Sequence, residues 1–137
     1  MYPLLETICI RSGVPQNLSG HEARSRQSVN RLFGCEPDFD LRKVICSVDV
    51  PETGVFKCRV LYHASDYSLS CEPYEAKTIR SLRCVEANHL VYDLKYADRQ
   101  EIDHLVMQRG TCDDVLIVQD GWIRDTSYGN ICFLDGG

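Results

Sequence analysis

Lys95 is the residue of this 137-residue chain whose type and position most invite chemistry. It lies in Tyr92-Asp93-Leu94-Lys95-Tyr96-Ala97-Asp98-Arg99, between a run with strand character and a run with helix character. Partial burial at such a boundary lowers an amine's pKa toward the neutral, nucleophilic form. The same position also suits a solvated lysine near a helix start. Asp125, four residues after Gly121, has two readings as well. Its carboxylate either faces a ligand or accepts hydrogen bonds from the backbone amides of Ser127 or Tyr128, a common use of turn aspartates. His21 and Arg24 stand three apart, so on a helix they share one face, as a surface pair or as part of a site.

The elements that must position these residues are legible in the periodicity. Leu4 to Ile10 reads as a strand broken by the hairpin-type turn Ser12-Gly13. Ser19-Gly20-His21-Glu22 has the form of a capping box and opens a helix that runs to about Phe33 and stops at Gly34. A second short helix is expected from Asp40, with Leu41, Val44, Ile45 and Val48 at helical spacing and Pro51 as its stop. The period then changes to two. Val55 to Tyr62, Tyr67 to Tyr74 and Ile79 to Val85 read as three strands of a mostly antiparallel sheet. A helix from about Ala97 to Arg109 follows, capped by Asp98, with Ile102, Leu105 and Val106 on its buried face and Gly110 at its end. Asp113 to Val118 and Trp122 to Thr126 read as strands joined by Asp120-Gly121, and Asn130 to Leu134 as a last strand. Asp135-Gly136 then signals a hairpin with no return strand behind it, so the chain is expected to be truncated there.

Composition limits the function classes. Hydrophobic residues make up 44% and charged residues 26%, which suits a folded domain and argues against disorder. A net charge of -5, with basic residues interleaved among acids, argues against nucleic acid. No apolar run approaches the roughly 18–20 residues of a membrane span, and the opening is too short and acidic for a signal peptide, so a cytoplasmic protein is expected. The eight cysteines are scattered without a C-x-x-C pair, which argues against a zinc site. Most sit in apolar or alternating runs and are expected to be buried free thiols.

Three blocks, in order, carry a resemblance. The first is LETICIRSG followed by Leu18 and His21-x-x-Arg24. The second is Leu94-Lys95-Tyr96-Ala97-Asp98-Arg99. The third runs from Asp113-Asp114-Val115-Leu116-Ile117 through Gly121 to Asp125 and Asn130. Together they span nearly the whole chain and resemble the class IV, pyridoxal-phosphate-dependent aminotransferases and lyases, within them most closely the 4-amino-4-deoxychorismate lyases. The family more often has glutamate where this chain has Asp125.

The resemblance implies an α+β fold in two parts, an antiparallel sheet with flanking helices and a second domain that is incomplete. Residues 1–90 would form the first domain, and 91–137 would begin the second, with cofactor between them. It implies roles too. Lys95 would be the Schiff-base lysine and later the proton carrier at the substrate α-carbon. Asp125 would pair with the pyridine nitrogen. Arg24 would bind the cofactor phosphate, whose geometry suits a planar fork of donors. Arg59, in Phe56-Lys57-Cys58-Arg59-Val60-Leu61-Tyr62, is a candidate for the substrate carboxylate, and His21 would orient its helix. The reaction implied is transamination of an amino acid, or elimination from aminodeoxychorismate, in a homodimer. The alternative is a cofactor-free remnant of the same fold serving as an interaction module.

Overall fold

Alternation of apolar residues from Leu4 and from Phe56 makes two long strands whose common face is the first core. The computed structural model describes residues 3–91 and 93–135, so Tyr92 of the lysine segment and the closing Gly136-Gly137 lie outside it. The chain divides into two compact units, Met1–Ala76 with Asp93–Asp98, and Lys77–Tyr92 with Arg99–Gly137.

In the first unit, β1 (Leu4–Arg11), β2 (Val14–Pro15), β3 (Val55–Tyr62) and β4 (Tyr67–Pro73) form an antiparallel sheet in the order β2-β1-β3-β4. Helices α1 (Leu18–Phe33) and α2 (Leu41–Cys46) cover one face of it. Leu4, Ile8 and Ile10 of β1 and Cys58, Val60 and Tyr62 of β3 meet Leu18, Val29, Leu41 and Ile45 there. The β1–β2 turn has positive φ at both Ser12 and Gly13, the conformation whose twist matches the flanking strands. Gly34 ends α1 in the left-handed region with its N–H on Asn30 O at 2.8 Å, and Asp40 caps α2 by accepting from Lys43 N.

The second unit holds β5 (Leu82–Glu86), α3 (Gln100–Met107), β6 (Asp114–Gln119) and β7 (Trp122–Thr126). Its sheet has the order β5-β6-β7, with β5 parallel to β6 and β7 antiparallel. Val85, Ala87, Leu90, Leu105, Val115 and Ile117 form its core. Asp120 and Gly121 both have positive φ, so the β6–β7 hairpin turn is the one that Asp-Gly announces. Mixed α and β elements are thus present as expected.

Several local expectations need correction. The third strand does not join β3 and β4. It pairs with β6 in the other sheet, because alternation reports which face of a strand is buried, not which strand lies beside it, and α3 supplies the crossover that parallel pairing requires. Ser19 and Glu22 do not form a capping box. Asn17 is the α1 cap, at φ 49°, and the Glu22 carboxylate bonds Arg42 instead. Helix α2 ends at Cys46, short of Pro51. Asp98 does not cap α3, whose N-cap is Arg99. Ala97 is a bend whose N–H donates to Pro3 O at 2.8 Å, so the helix starts later. Asn130–Leu134 forms no strand, since nothing among the described residues pairs with it, and Leu134 is 98% exposed.

The cysteines differ most from expectation. Cys58 and Cys71 are joined by a disulfide across β3 and β4. Of the free thiols, Cys35, Cys46, Cys84 and Cys132 are exposed, while Cys9 and Cys112 are half-buried. Cys9 and Cys84 fall on the less buried face of their strands, Cys46 ends α2, and Cys35, Cys112 and Cys132 lie in loops. No helix among the described residues is long and apolar enough to cross a membrane.

Candidate functional site

Glu6 occupies an inward position of β1, in step with Leu4 and Ile8, and is 0% exposed. Burial alone would raise its pKa, yet hydrogen bonds from Arg24 and His21, with their charges, hold the carboxyl below the ordinary carboxylate range. Arg24 donates Nε to Oε1 at 2.8 Å and Nη2 to Oε2, a bidentate fork. His21 Nδ1 lies 2.6 Å from the same Oε2. The shared helix face of His21 and Arg24 is therefore turned to the sheet, onto a carboxylate that the motif reading passed over. An acid in register with buried aliphatics was the available signal.

Tyr62 closes this cluster. Its phenol pKa is pushed well up, by burial and then by the Glu6 charge. The hydroxyl is buried near Ser28, a weak partner that does not give it a well-formed hydrogen bond among the described residues. A buried hydroxyl without a partner costs about 1–3 kcal/mol. Tyr62→Phe is expected to leave stability unchanged or raise it by about 1 kcal/mol, read as the midpoint of urea unfolding. A loss above about 1 kcal/mol would mean that the hydroxyl has a partner in solution.

Lys95 is half-buried and fixed through its backbone. Its carbonyl accepts from Leu5 N at 2.9 Å, and Tyr96 bridges antiparallel to Leu4. Tyr96 and Leu94 pack on the first core, so strand alternation puts Lys95 on the opposite face of the sheet, opposite Leu5. Arg59 belongs to that same face, in register with Thr7 of β1 and Ser70 of β4. The fold thus brings Lys95 and Arg59 to one face and draws Arg24 and His21 to the other.

Asp125 belongs to the second unit, where it pairs in register with Ile117. The register then shifts, with Val118 opposite Ile123, so Arg124 is the extra residue of a β-bulge. Bulges re-aim side chains, which explains how the consecutive residues Arg124 and Asp125 both line one open cavity of about 340 Å³. Ile102, Ile117 and Ile123 give it an apolar lining and Gln119 a further polar one. Asp125 Oδ1 accepts from Thr126 N at 2.9 Å, rather than from Ser127 or Tyr128. The turn beyond is held independently. Thr126 Oγ1 bonds Gly129 N and O, and Arg99 donates to Ser127 O while lying 4.2 Å from the centre of the Tyr128 ring. Arg124 was not foreseen as a lining residue, because nothing in the sequence marks the bulge. No cluster of three metal-ligating side chains occurs among the described residues.

No family model matches the chain. An uncharacterised protein of Haemophilus influenzae is 34% identical over 138 residues, a match spanning 99% of this chain and 73% of that protein. A crystal structure from Haemophilus somnus, described as a candidate 4-amino-4-deoxychorismate lyase, is 34% identical with a TM-score of 0.88, covering 95% of this chain and 70% of that one. A hypothetical aminotransferase from Mycobacterium tuberculosis in its pyridoxal-phosphate-bound form shares the fold at 18% identity, with a TM-score of 0.68 over 91% of this chain and 55% of its own.

Proposed function

Since the chain belongs to the class IV aminotransferase-like family, we propose that it serves a pyridoxal-phosphate-dependent transaminase or aminodeoxychorismate lyase. The observation that carries this reading is the placement of Lys95, an amine pinned by its own backbone to β1 on the sheet face that also bears Arg59. By type alone the residues suit the cofactor, although Arg24 lies on the sheet face opposite Lys95 with its fork on Glu6. They include an amine for an aldehyde, a guanidinium for a phosphate, and a half-buried carboxylate in an isoleucine-lined cavity for a protonated ring nitrogen. When bound, the cofactor supplies an electron sink for charge developing at a substrate α-carbon.

Lys95 would hold the cofactor through Nζ and carry the α-proton. Asp125 would keep the ring nitrogen protonated, Arg24 would meet the phosphate, and Arg59 would take the substrate carboxylate. Transamination and elimination both begin by removing the α-proton, and these residues serve either outcome. A second reading, a cofactor-free interaction module of the same fold, is favoured by the two Arg24 donors already engaged with Glu6.

The test is chemical trapping. The protein is incubated with excess pyridoxal phosphate, reduced with borohydride, digested and mapped by mass. A phosphopyridoxyl group on Lys95 is expected, and Lys95→Ala should bring incorporation to background. That variant keeps the bond from Leu5 N to the main-chain carbonyl of residue 95, and its urea-unfolding midpoint checks that the fold is retained. Wild-type protein that takes up no label would leave the module reading standing.

A further inference from the structure

We propose that Cys58 and Cys71 form a reversible thiol–disulfide couple that fastens and releases β4, the edge strand of the first sheet. This inference does not depend on the cofactor reading. The two residues are direct register partners with Cα atoms 4.1 Å apart, and Cys58 lies on the core face with Val60 and Tyr62. Reduced, the two thiols still face one another across the ladder, so the bond opens and closes without a change of register.

Apart from the bond, the strand is held by its ladder to β3, the Lys57–Glu72 ion pair and the Phe39–Tyr67 ring contact, with little buried side-chain surface. Along β4 only Leu69 and Cys71 are even half-buried, and no strand covers its outer edge among the described residues. A strand with so few buried apolar contacts opens locally at low cost unless something fastens it. Access is one-sided as well. Cys58 is fully buried and Cys71 only partly, which makes Cys71 the sulfur that an external thiolate meets first.

The chemistry balances with a small-molecule couple such as glutathione. A glutathione thiolate attacks Cys71 Sγ, giving a mixed disulfide and expelling the Cys58 thiolate, which takes up a proton. A second glutathione thiolate then displaces Cys71 and leaves as glutathione disulfide. Closure runs in reverse, with two thiol hydrogens lost and glutathione disulfide reduced to two thiols. The next register pair beyond the bond is Arg59 and Ser70, so the couple also governs how firmly the edge beside Arg59 is held.

The experiment equilibrates the folded 137-residue protein in graded glutathione buffers, alkylates free thiols after acid quenching, and counts them by mass. One two-electron step is expected, from six alkylated cysteines to eight, with only the Cys58 and Cys71 peptides changing. Hydrogen exchange on the same samples should show amides of 67–73 losing protection by about tenfold or more on reduction, with β1–β3 pairing unchanged. Eight thiols at every ratio, six even under strong reductant, or equal protection in both forms would each overturn the proposal. Cys71→Ala should exchange like the reduced protein in every buffer, and protection of 67–73 in it like that of the oxidised protein would do the same.

Discussion

Arg24→Ala should cost the first unit about 3 kcal/mol at neutral pH, and most of that loss should disappear in acid. Glu6 is fully buried, and its ionised form is held by the Arg24 fork and by His21. Removing one partner of a buried pair leaves a charge without compensation, which typically costs about 3–5 kcal/mol. The low end applies here because the Arg24 side chain is itself 44% exposed and His21 remains. The sign with pH follows from the two states. In the wild type, the Glu6 pKa is lowered on folding, so its stabilisation is full above the unfolded value, about 4.3, and fades as pH drops through the folded value. Without Arg24, burial dominates and the folded pKa rises. The penalty is then largest above that raised value and vanishes as pH falls toward about 4. Urea unfolding of both proteins from pH 7 to pH 4 should show a converging stability difference. A difference that stays constant over that range would mean the loss is one of packing, not of charge.

That Glu6 was missed while its partners were noticed illustrates where sequence reasoning reaches. Ser12-Gly13 and Asp120-Gly121 announce their turns, because positive φ at two adjacent positions is a local demand that few residue pairs meet. Gly34 and Asp40 terminate and cap their helices for equally local reasons. Strand partners are not local. Ile79 to Val85 alternates as β3 does, yet the strand that forms, Leu82–Glu86, lies parallel to β6, a choice made by α3 and by core packing. The Cys58–Cys71 bond depends on the β3–β4 register, and the bulge at Arg124 on a one-residue shift, neither of which leaves a mark in residue type. Lys95 and Asp125 stood out through motif order. The face each occupies came only from pairing, which also separated Arg24 from Arg59.

Asp125→Asn carries the largest functional effect expected, a fall of about 100-fold or more in α-proton exchange, the scale of losing one preorganised electrostatic partner. The substitution is chosen because it spares the structure. An asparagine Oδ1 can accept from Thr126 N as the aspartate does at 2.9 Å. The following turn is fastened by Thr126 Oγ1 on Gly129 and by Arg99 on Ser127, neither of which involves residue 125. What changes is charge alone. In the cavity lined by Ile102, Ile117 and Ile123, a carboxylate can hold a protonated ring nitrogen and a neutral amide cannot. The rate is read in deuterium oxide by proton NMR, as loss of the α-hydrogen signal from a panel of D- and L-amino acids, with borohydride trapping on Lys95 as a separate measure of cofactor retention. Retained label with slowed exchange places the carboxylate at the ring. Unchanged exchange would confine Asp125 to its bond with Thr126, and the electrostatic role would have to pass to another group lining the cavity, Arg124 being excluded by its sign.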